Sequence, residues 1–279
     1  MENSFKNKIE NREEAPSFKD LTIFTATFYG EDETSKVRQK LALKLFENAK
    51  ELGVKCVVAD GGSNEEFLEK ARAYTNVVLS VEKSLGMGER RREALRIAHD
   101  ELPSSSSSGH FFLWIEPEKD GLITAENLTK MIKSLRENNS DIVVPERQDM
   151  SSLPHFQAWM EQRANKKAMQ LTDKDIEEVW DIWFGPKMFN EEGLKYFLNY
   201  KGKLDKWDAT IKPVMDAYKD NKRVVSVPVD YTYDETQKEN EEGSAEFKKK
   251  RIEQYLTILT EMGDEFSKRK LIEQEEKNK

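Results

Sequence analysis

The chain has 279 residues and a net charge of −8, from 45 Lys and Arg against 53 Asp and Glu. That length builds one large domain or two small ones, and the acidic balance argues against a general nucleic-acid binder, which needs a basic face for phosphates. A single cysteine, Cys56, excludes an intrachain disulfide and a multi-cysteine zinc site, and no run approaches the ~20 apolar residues of a transmembrane segment.

Residues 1–18 read as a flexible polar tail with no apolar stretch of the signal-peptide kind, so the expected location is cytoplasmic. The first strand is "LTIFTATFYG" (21–30), rich in β-branched and aromatic residues. A helix follows over 35–53, with Gly53 as its stop. The pattern then repeats: strand "VKCVVAD" (54–60), helix 64–74 capped by Asn64, strand "NVVLSV" (76–81), helix 88–102. After a serine-rich loop at 104–109 come strand "HFFLWIE" (110–116), helix 125–139 and strand "DIVVPE" (141–146). Five short strands alternating with helices predict an α/β domain, a Rossmann-type parallel sheet with helices on both faces.

Ligands of such sheets bind outside the carboxyl ends of the strands. The unusual polar residues fall there: Thr25 to Gly30, Asp60-Gly61-Gly62-Ser63, Gly86-Met87-Gly88 followed by Arg90, Arg91 and Arg92, and Glu116-Pro117-Glu118. Glycines admit a ligand to the backbone, and arginines at a helix start suit phosphate. Paired carboxylates suit a divalent cation, Mg²⁺ or Mn²⁺, that bridges to a diphosphate. Asp60 is placed to accept from a ribose or base. Together they point to a nucleoside diphosphate. A dinucleotide fingerprint after the first strand and a P-loop are both absent.

In this order of motifs the chain resembles the GT-A fold glycosyltransferases, the nucleotide-diphospho-sugar transferases close to glycosyltransferase family 2, over roughly residues 20–240. The resemblance implies a GT-A domain over 19–243, with a nucleotide-sugar half (19–146) and an acceptor half (147–243), then an amphipathic C-terminal helix (244–279) that covers the sheet or pairs subunits into a homo-oligomer. It implies that Thr25, Thr27, Phe28, Asp60 and Gly61 hold the nucleoside. Gly86, Gly88 and Arg91 would hold the diphosphate. Glu116 and Glu118 stand where the family carries D-x-D and would ligate Mn²⁺ or Mg²⁺. "EEVWDIWFGPKMFNEEGLKYF" (177–197) resembles the short strand, turn and helix of the acceptor side, which puts Asp181 near the sugar. The family's last ligand, often a His, has no match here; Tyr231, Tyr233 and Gln237 occupy that stretch.

Plainer roles compete with these. Glu-Pro-Glu also suits a helix start, and Asp60-Gly61-Gly62 a capped turn. Asp181, between Trp180 and Trp183, is either a general base with a raised pKa or the partner of a buried Arg. Trp159 and Trp183 suit core packing better than sugar stacking, and His99, His110 and His155 lack ligand spacing. The expected function is metal-assisted transfer of a sugar, inverting or retaining, from a nucleoside-diphosphate sugar to an acceptor the sequence does not name. Its rivals are a GT-A-like binding module without turnover and a sugar nucleotidyltransferase.

Overall fold

The computed structural model describes residues 17–101, 109–171, 179–202 and 204–277, without the side chains of residues 261 and 264–277. The tail over residues 1–16 and most of the serine run lie outside the described residues. The first part of the chain contains β1 (Leu21–Thr27), α1 (Glu33–Glu51), β2 (Lys55–Asp60), α2 (Glu65–Arg72), β3 (Val77–Val81), α3 (Met87–Asp100), β4 (Phe111–Trp114), α4 (Ala125–Glu137) and β5 (Ile142–Arg147). There follow α5 (His155–Gln170), β6 (Lys187–Phe189), α6 (Glu191–Leu198), α7 (Asp208–Lys219), β7 (Val224–Val229), α8 (Glu235–Glu241) and α9 (Ala245–Lys277). Local signals start these helices: Asp32 accepts from the Ser35 N–H (2.9 Å) and Asn64 from the Phe67 N–H (3.0 Å). Gly53 ends α1 at φ +68°, a left-handed position open to glycine.

The seven strands form one sheet in the order β3-β2-β1-β4-β6-β5-β7. This corrects the expected all-parallel sheet, because β6 runs antiparallel between β4 and β5. All other pairs are parallel. The chain winds outward from β1 through β2 and β3, then returns to the other side of β1 with β4. Strand order therefore reverses between β1 and β4, which is the switch point where α/β sheets open a crevice.

Alternate side chains along each strand serve opposite faces. Ile23, Cys56, Val58 and Leu113 pack under α1, α2 and α4. Phe24, Val57, Phe112 and Trp114 pack against α3, α5, α6 and α7. Cys56 is a buried free thiol, as its strand position implies, and burial pushes its pKa up. Helix α9 packs along α5, and its Ile258 and Met262 join the second core. Glu-Pro-Glu opens a turn and a short 3₁₀ segment (Asp120–Leu122) and not an α-helix.

Asn127 of α4 fastens the segment that follows β7. Its amide donates to Asp230 O (2.7 Å) and Leu122 O (3.3 Å), and its carbonyl accepts from the Asp230 N–H (3.0 Å). Asn127→Ala leaves buried backbone groups unpaired. It is expected to lower unfolding stability by about 1–3 kcal/mol, read as a drop in urea midpoint at unchanged m-value.

Candidate functional site

A cavity of about 230 Å³ opens beyond the carboxyl ends of β4, β5 and β7. Six cations (Arg38, Arg91, Lys119, Arg147, Lys250, Arg251) and three carboxylates (Glu116, Glu118, Glu161) line it, a surplus of three positive charges in a chain of net −8. Six buried polar atoms without a hydrogen-bond partner belong to its lining: Arg38 Nε, Arg91 Nε, Glu116 Oε2, Trp183 Nε1, Gln237 Oε1 and Arg251 Nε. Buried polar atoms are nearly always paired inside a protein. Their gathering around one hollow marks it as a place for a polar ligand.

Glu116 leaves β4 directly into this cavity. Its burial alone would raise the carboxyl pKa, but Lys119 and Arg91 outweigh burial and hold it below the ordinary glutamate range. The Lys119 ammonium stands 3.9 Å from Oε2, beyond hydrogen-bond reach. On its other side lies Gly185, where a Cβ would come within 1.8 Å of Oε1. Any larger residue would push the Glu116 carboxylate aside. Glu118 faces the same cavity, with the Tyr29 hydroxyl at 3.4 Å and Arg38 Nε at 3.9 Å from its Oε1. Two carboxylates with free acceptor capacity fit a Mn²⁺ or Mg²⁺ ion that takes its other ligands from a diphosphate and water. Among the described residues no group of three or more His, Cys, Asp or Glu is arranged to hold a metal by itself.

The loop bearing Gly185 is clamped from below by Lys187. Its fully buried amine donates to the carbonyls of Ile182 (3.2 Å), Gly185 (3.3 Å), Pro186 (3.1 Å) and Phe184. Burial brings that amine down to about 7, with Glu116 and Asp181 opposing. The loop is held from the side by Arg147, the last residue of β5. Arg147 donates to Asp181 Oδ2 (2.7 Å), Asp181 Oδ1 (2.8 Å) and Glu161 Oε2 (2.6 Å), and its guanidinium lies 4.5 Å from the Phe184 ring centre.

This geometry corrects the expected role of Asp181. Burial pushes its pKa up, but Arg147, with help from Asn165, outweighs that and holds the carboxyl below the ordinary aspartate range. A carboxylate fastened to a guanidinium is a poor base. The Trp pair does not isolate it, because β5 delivers an arginine between them.

Asp60 is likewise spent on its own turn. Its Oδ2 accepts from the hydroxyls of Thr27 (2.6 Å) and Ser63 (2.5 Å), and its Oδ1 from the N–H groups of Gly62 and Ser63 (2.7 Å each). With four donors filled by the protein and no exposure, it shapes the turn instead of reaching out to a base. Thr25 donates to Ile115 O (2.7 Å) and ties β1 to β4. Gly61 makes room for the Arg90 guanidinium, and Gly88 for the backbone at Asp205, so neither opens onto a ligand. Gly86 caps the start of α3. Phe28 is 65% exposed, with Arg90 5.9 Å from its ring centre.

Of the arginine trio, Arg91 lines the cavity, stacked 4.9 Å from the Trp114 ring centre, while Arg92 pairs with Glu89 and Asp205. Tyr231, Tyr233, Gln237 and Trp183 also line it. Trp159 does neither of the things expected of it; it is 53% exposed and stacks with Phe156 and Arg163. Sequence reading missed Arg38, Arg147, Gly185, Lys250 and Arg251. "VVPER" at the end of β5 repeats the apolar-run-then-charge pattern of "FFLWIEPE" and is the signal that points to Arg147.

The mixed sheet, the switch point and the carboxylate pair at the end of β4 define an α/β fold of the GT-A, nucleotide-diphospho-sugar transferase type. Among solved structures, the chain is similar to glucosyl-3-phosphoglycerate synthase from Mycobacterium tuberculosis (TM-score 0.54, 12% identity, 87% of this chain and 80% of that one). The same enzyme in complex with Mn²⁺, UDP-glucose and phosphoglyceric acid superposes with TM-score 0.51 over 87% of this chain and 79% of that one, at 12% identity. A further mycobacterial protein gives 0.56 at 10% identity, over 87% and 74% of the two chains. No family model matches the sequence, and no curated protein matches it. No helix among the described residues is long and apolar enough to cross a membrane.

Removing Arg147 strands two buried carboxylates, so Arg147→Met is expected to cost about 3–5 kcal/mol in urea unfolding. The depressed Asp181 carboxyl contributes stability that is present above the unfolded aspartate pKa of about 3.9 and lost as pH falls through its lower folded value. Acid titration of the unfolding midpoint should therefore show a steep limb below about pH 4 that Asp181→Asn flattens.

Proposed function

We propose that the protein is a glycosyltransferase that takes a sugar from a nucleoside-diphosphate sugar with the help of a divalent cation, Mn²⁺ or Mg²⁺. The observation that carries this reading is the positive, partner-poor cavity into which both Glu116 and Glu118 project at the end of β4. The fold it shares with an enzyme solved with Mn²⁺ and UDP-glucose supports it.

In this reading the exposed Phe28 ring, above the turn held by Thr25, Thr27, Asp60 and Gly61, takes the base by stacking. The α3 start at Gly86 and Gly88 sets Arg91 toward the diphosphate. A cation on Glu116 and Glu118 would offset the charge that develops on the departing diphosphate. Arg91 and Lys119 add fixed positive charge in a hollow where water is limited. Phe184 and Trp183 wall the space for the sugar. Asp181 acts through Arg147 as a positioning residue, and Gly185 leaves Glu116 free to turn to the cation.

One observation favours a second reading. The carboxylates are Glu-x-Glu where the resembled family carries D-x-D, and the segment after β7 has no His, which suits a nucleotide-sugar-binding module without turnover. Release of diphosphate from a donor sugar separates the two readings, since a module binds and releases nothing.

Thermal shift against UDP, GDP, CDP and ADP, each with and without Mn²⁺, tests the donor site. One diphosphate at about 100 times its Kd should stabilise the fold by about 2.7 kcal/mol, and only with the metal. Glu118→Ala should abolish that shift while leaving the unliganded midpoint within about 0.5 kcal/mol of the parent. A chain that no diphosphate stabilises is not a nucleoside-diphosphate-sugar transferase.

A further inference from the structure

We propose that the first turns of α9 form an anion-recognising subsite in the same cavity, built to hold a carboxylate or phosphate group on the acceptor. This rests on the glycosyltransferase reading and names the chemical class of its second substrate.

Four residues of α9 line the cavity: Phe247, Lys250, Arg251 and Gln254. Their spacing of i, i+3, i+4 and i+7 is one face of a helix. A run of four basic residues, Lys248 to Arg251, reads in sequence as a solvated surface. The fold instead lays that helix along α5 and turns Lys250 and Arg251 inward to the hollow.

Among the described residues neither cation makes an ion pair with a carboxylate. Arg251 donates only to neutral amides, Gln254 Oε1 (3.2 Å) and Gln157 Oε1 (3.2 Å), and its buried Nε has no partner. Its guanidinium is braced 4.9 Å from the Phe247 ring centre, which fixes the plane of the fork. Lys250 has no hydrogen bond or ion pair among the described residues. Partial burial and then the neighbouring charges of Arg38 and Arg251 hold its amine below the ordinary lysine range, with Glu241 and Glu118 opposing. Arg38 completes the group from α1, with its Nε unpartnered and its carboxylates at 3.4 and 3.9 Å.

Other arginines at cavity walls, Arg147 and Arg92, are answered by carboxylates of the protein. Arg147 has Asp181 and Glu161, and Arg92 has Glu89 and Asp205. Like charges crowded together cost stability, and an anionic ligand offsets that cost. A planar, braced guanidinium with an ammonium beside it is the arrangement that binds carboxylate or phosphate oxygens.

The proposed donor placement leaves this anion to the acceptor. With the base at Phe28 and the diphosphate at Glu116 and Glu118, the α9 side of the cavity is left for the second substrate. The far wall there is the α5–α9 pair. It is coupled to the sugar space through a chain of hydrogen bonds from Arg251 to Gln157, Glu161 and Arg147, beside Phe184.

The test uses the full chain and a matched three-carbon series: glycerol, D-glycerate and sn-glycerol 3-phosphate. Binding of each is measured by calorimetry, with the stabilising nucleoside diphosphate and Mn²⁺ present. D-glycerate or glycerol 3-phosphate should bind while glycerol does not, and whichever binds tells carboxylate from phosphate. Arg251→Gln and Lys250→Gln should each weaken that binding by about tenfold or more. Both should leave the diphosphate thermal shift and the unfolding midpoint as in the parent. Binding of neither anion in preference to glycerol overturns the subsite. So does an equal loss of diphosphate binding in Arg251→Gln, which would give the cluster to the donor. Arg251-dependent anion binding in a protein that no nucleoside diphosphate stabilises keeps the subsite and removes the donor reading.

Discussion

The Arg147 guanidinium is the group on which the cavity wall between β5, α5 and the loop before β6 depends. It sits at the end of β5 with almost no exposed surface and accepts the charge of both Asp181 and Glu161. One side chain thus joins a strand, helix α5 and the loop before β6. A buried ion network of this kind gains little stability over an apolar core, but breaking one member is costly because the others are left charged in a poor solvent. Its effect is to fix geometry. Asn165 extends it by accepting from the Trp183 N–H (2.8 Å), so the loop that carries Phe184 and Gly185 is set relative to α5 before any ligand arrives. The reacting end of a donor would meet walls that do not need to be organised at the moment of reaction.

The same economy appears at the ends of β1 and β2. Asp60, Thr27 and Ser63 close a small hydrogen-bonded ring that holds the turn after β2, and Thr25 stitches β1 to β4 across the switch point. Polar residues that look like ligand groups in the sequence are largely the scaffold on which the ligand surface rests. What faces outward is the less conspicuous neighbour, such as Phe28 in place of Asp60.

Much of the fold is legible in the chain. Every strand from β1 to β5 lies within a residue or two of an apolar run bounded by glycine or acidic residues, because buried parallel strands must be apolar on both faces. The caps at Asn64 and Gly53 follow from backbone chemistry alone. Strand β6 is harder to read, since "KMF" is too short to show a period and its direction depends on partners far away in sequence. For the site, the position of Glu116 and Glu118 at a strand end is local information. The partner of Asp181 is not, because Arg147 lies 34 residues away and reaches it only through the pairing of β5. Lys250 and Arg251 are hidden for another reason. The amphipathic pattern of that helix shows that one face is covered but not what it covers, and the packing of Ile258 and Met262 beside α5 decides it.

The antiparallel β6 also bears on how the protein is made. Strand β4 ends at Trp114 and the strand that covers its free edge begins at Lys187. Until that second segment emerges, the bare edge of "FFLW" has no partner on one side. At ordinary synthesis rates the interval is roughly 4 to 15 seconds. Open apolar edges are templates for pairing with other chains. The part of the sheet from β1 to β4 therefore spends its first seconds incomplete, and the three-residue strand that covers β4 shields the newborn chain from its own copies.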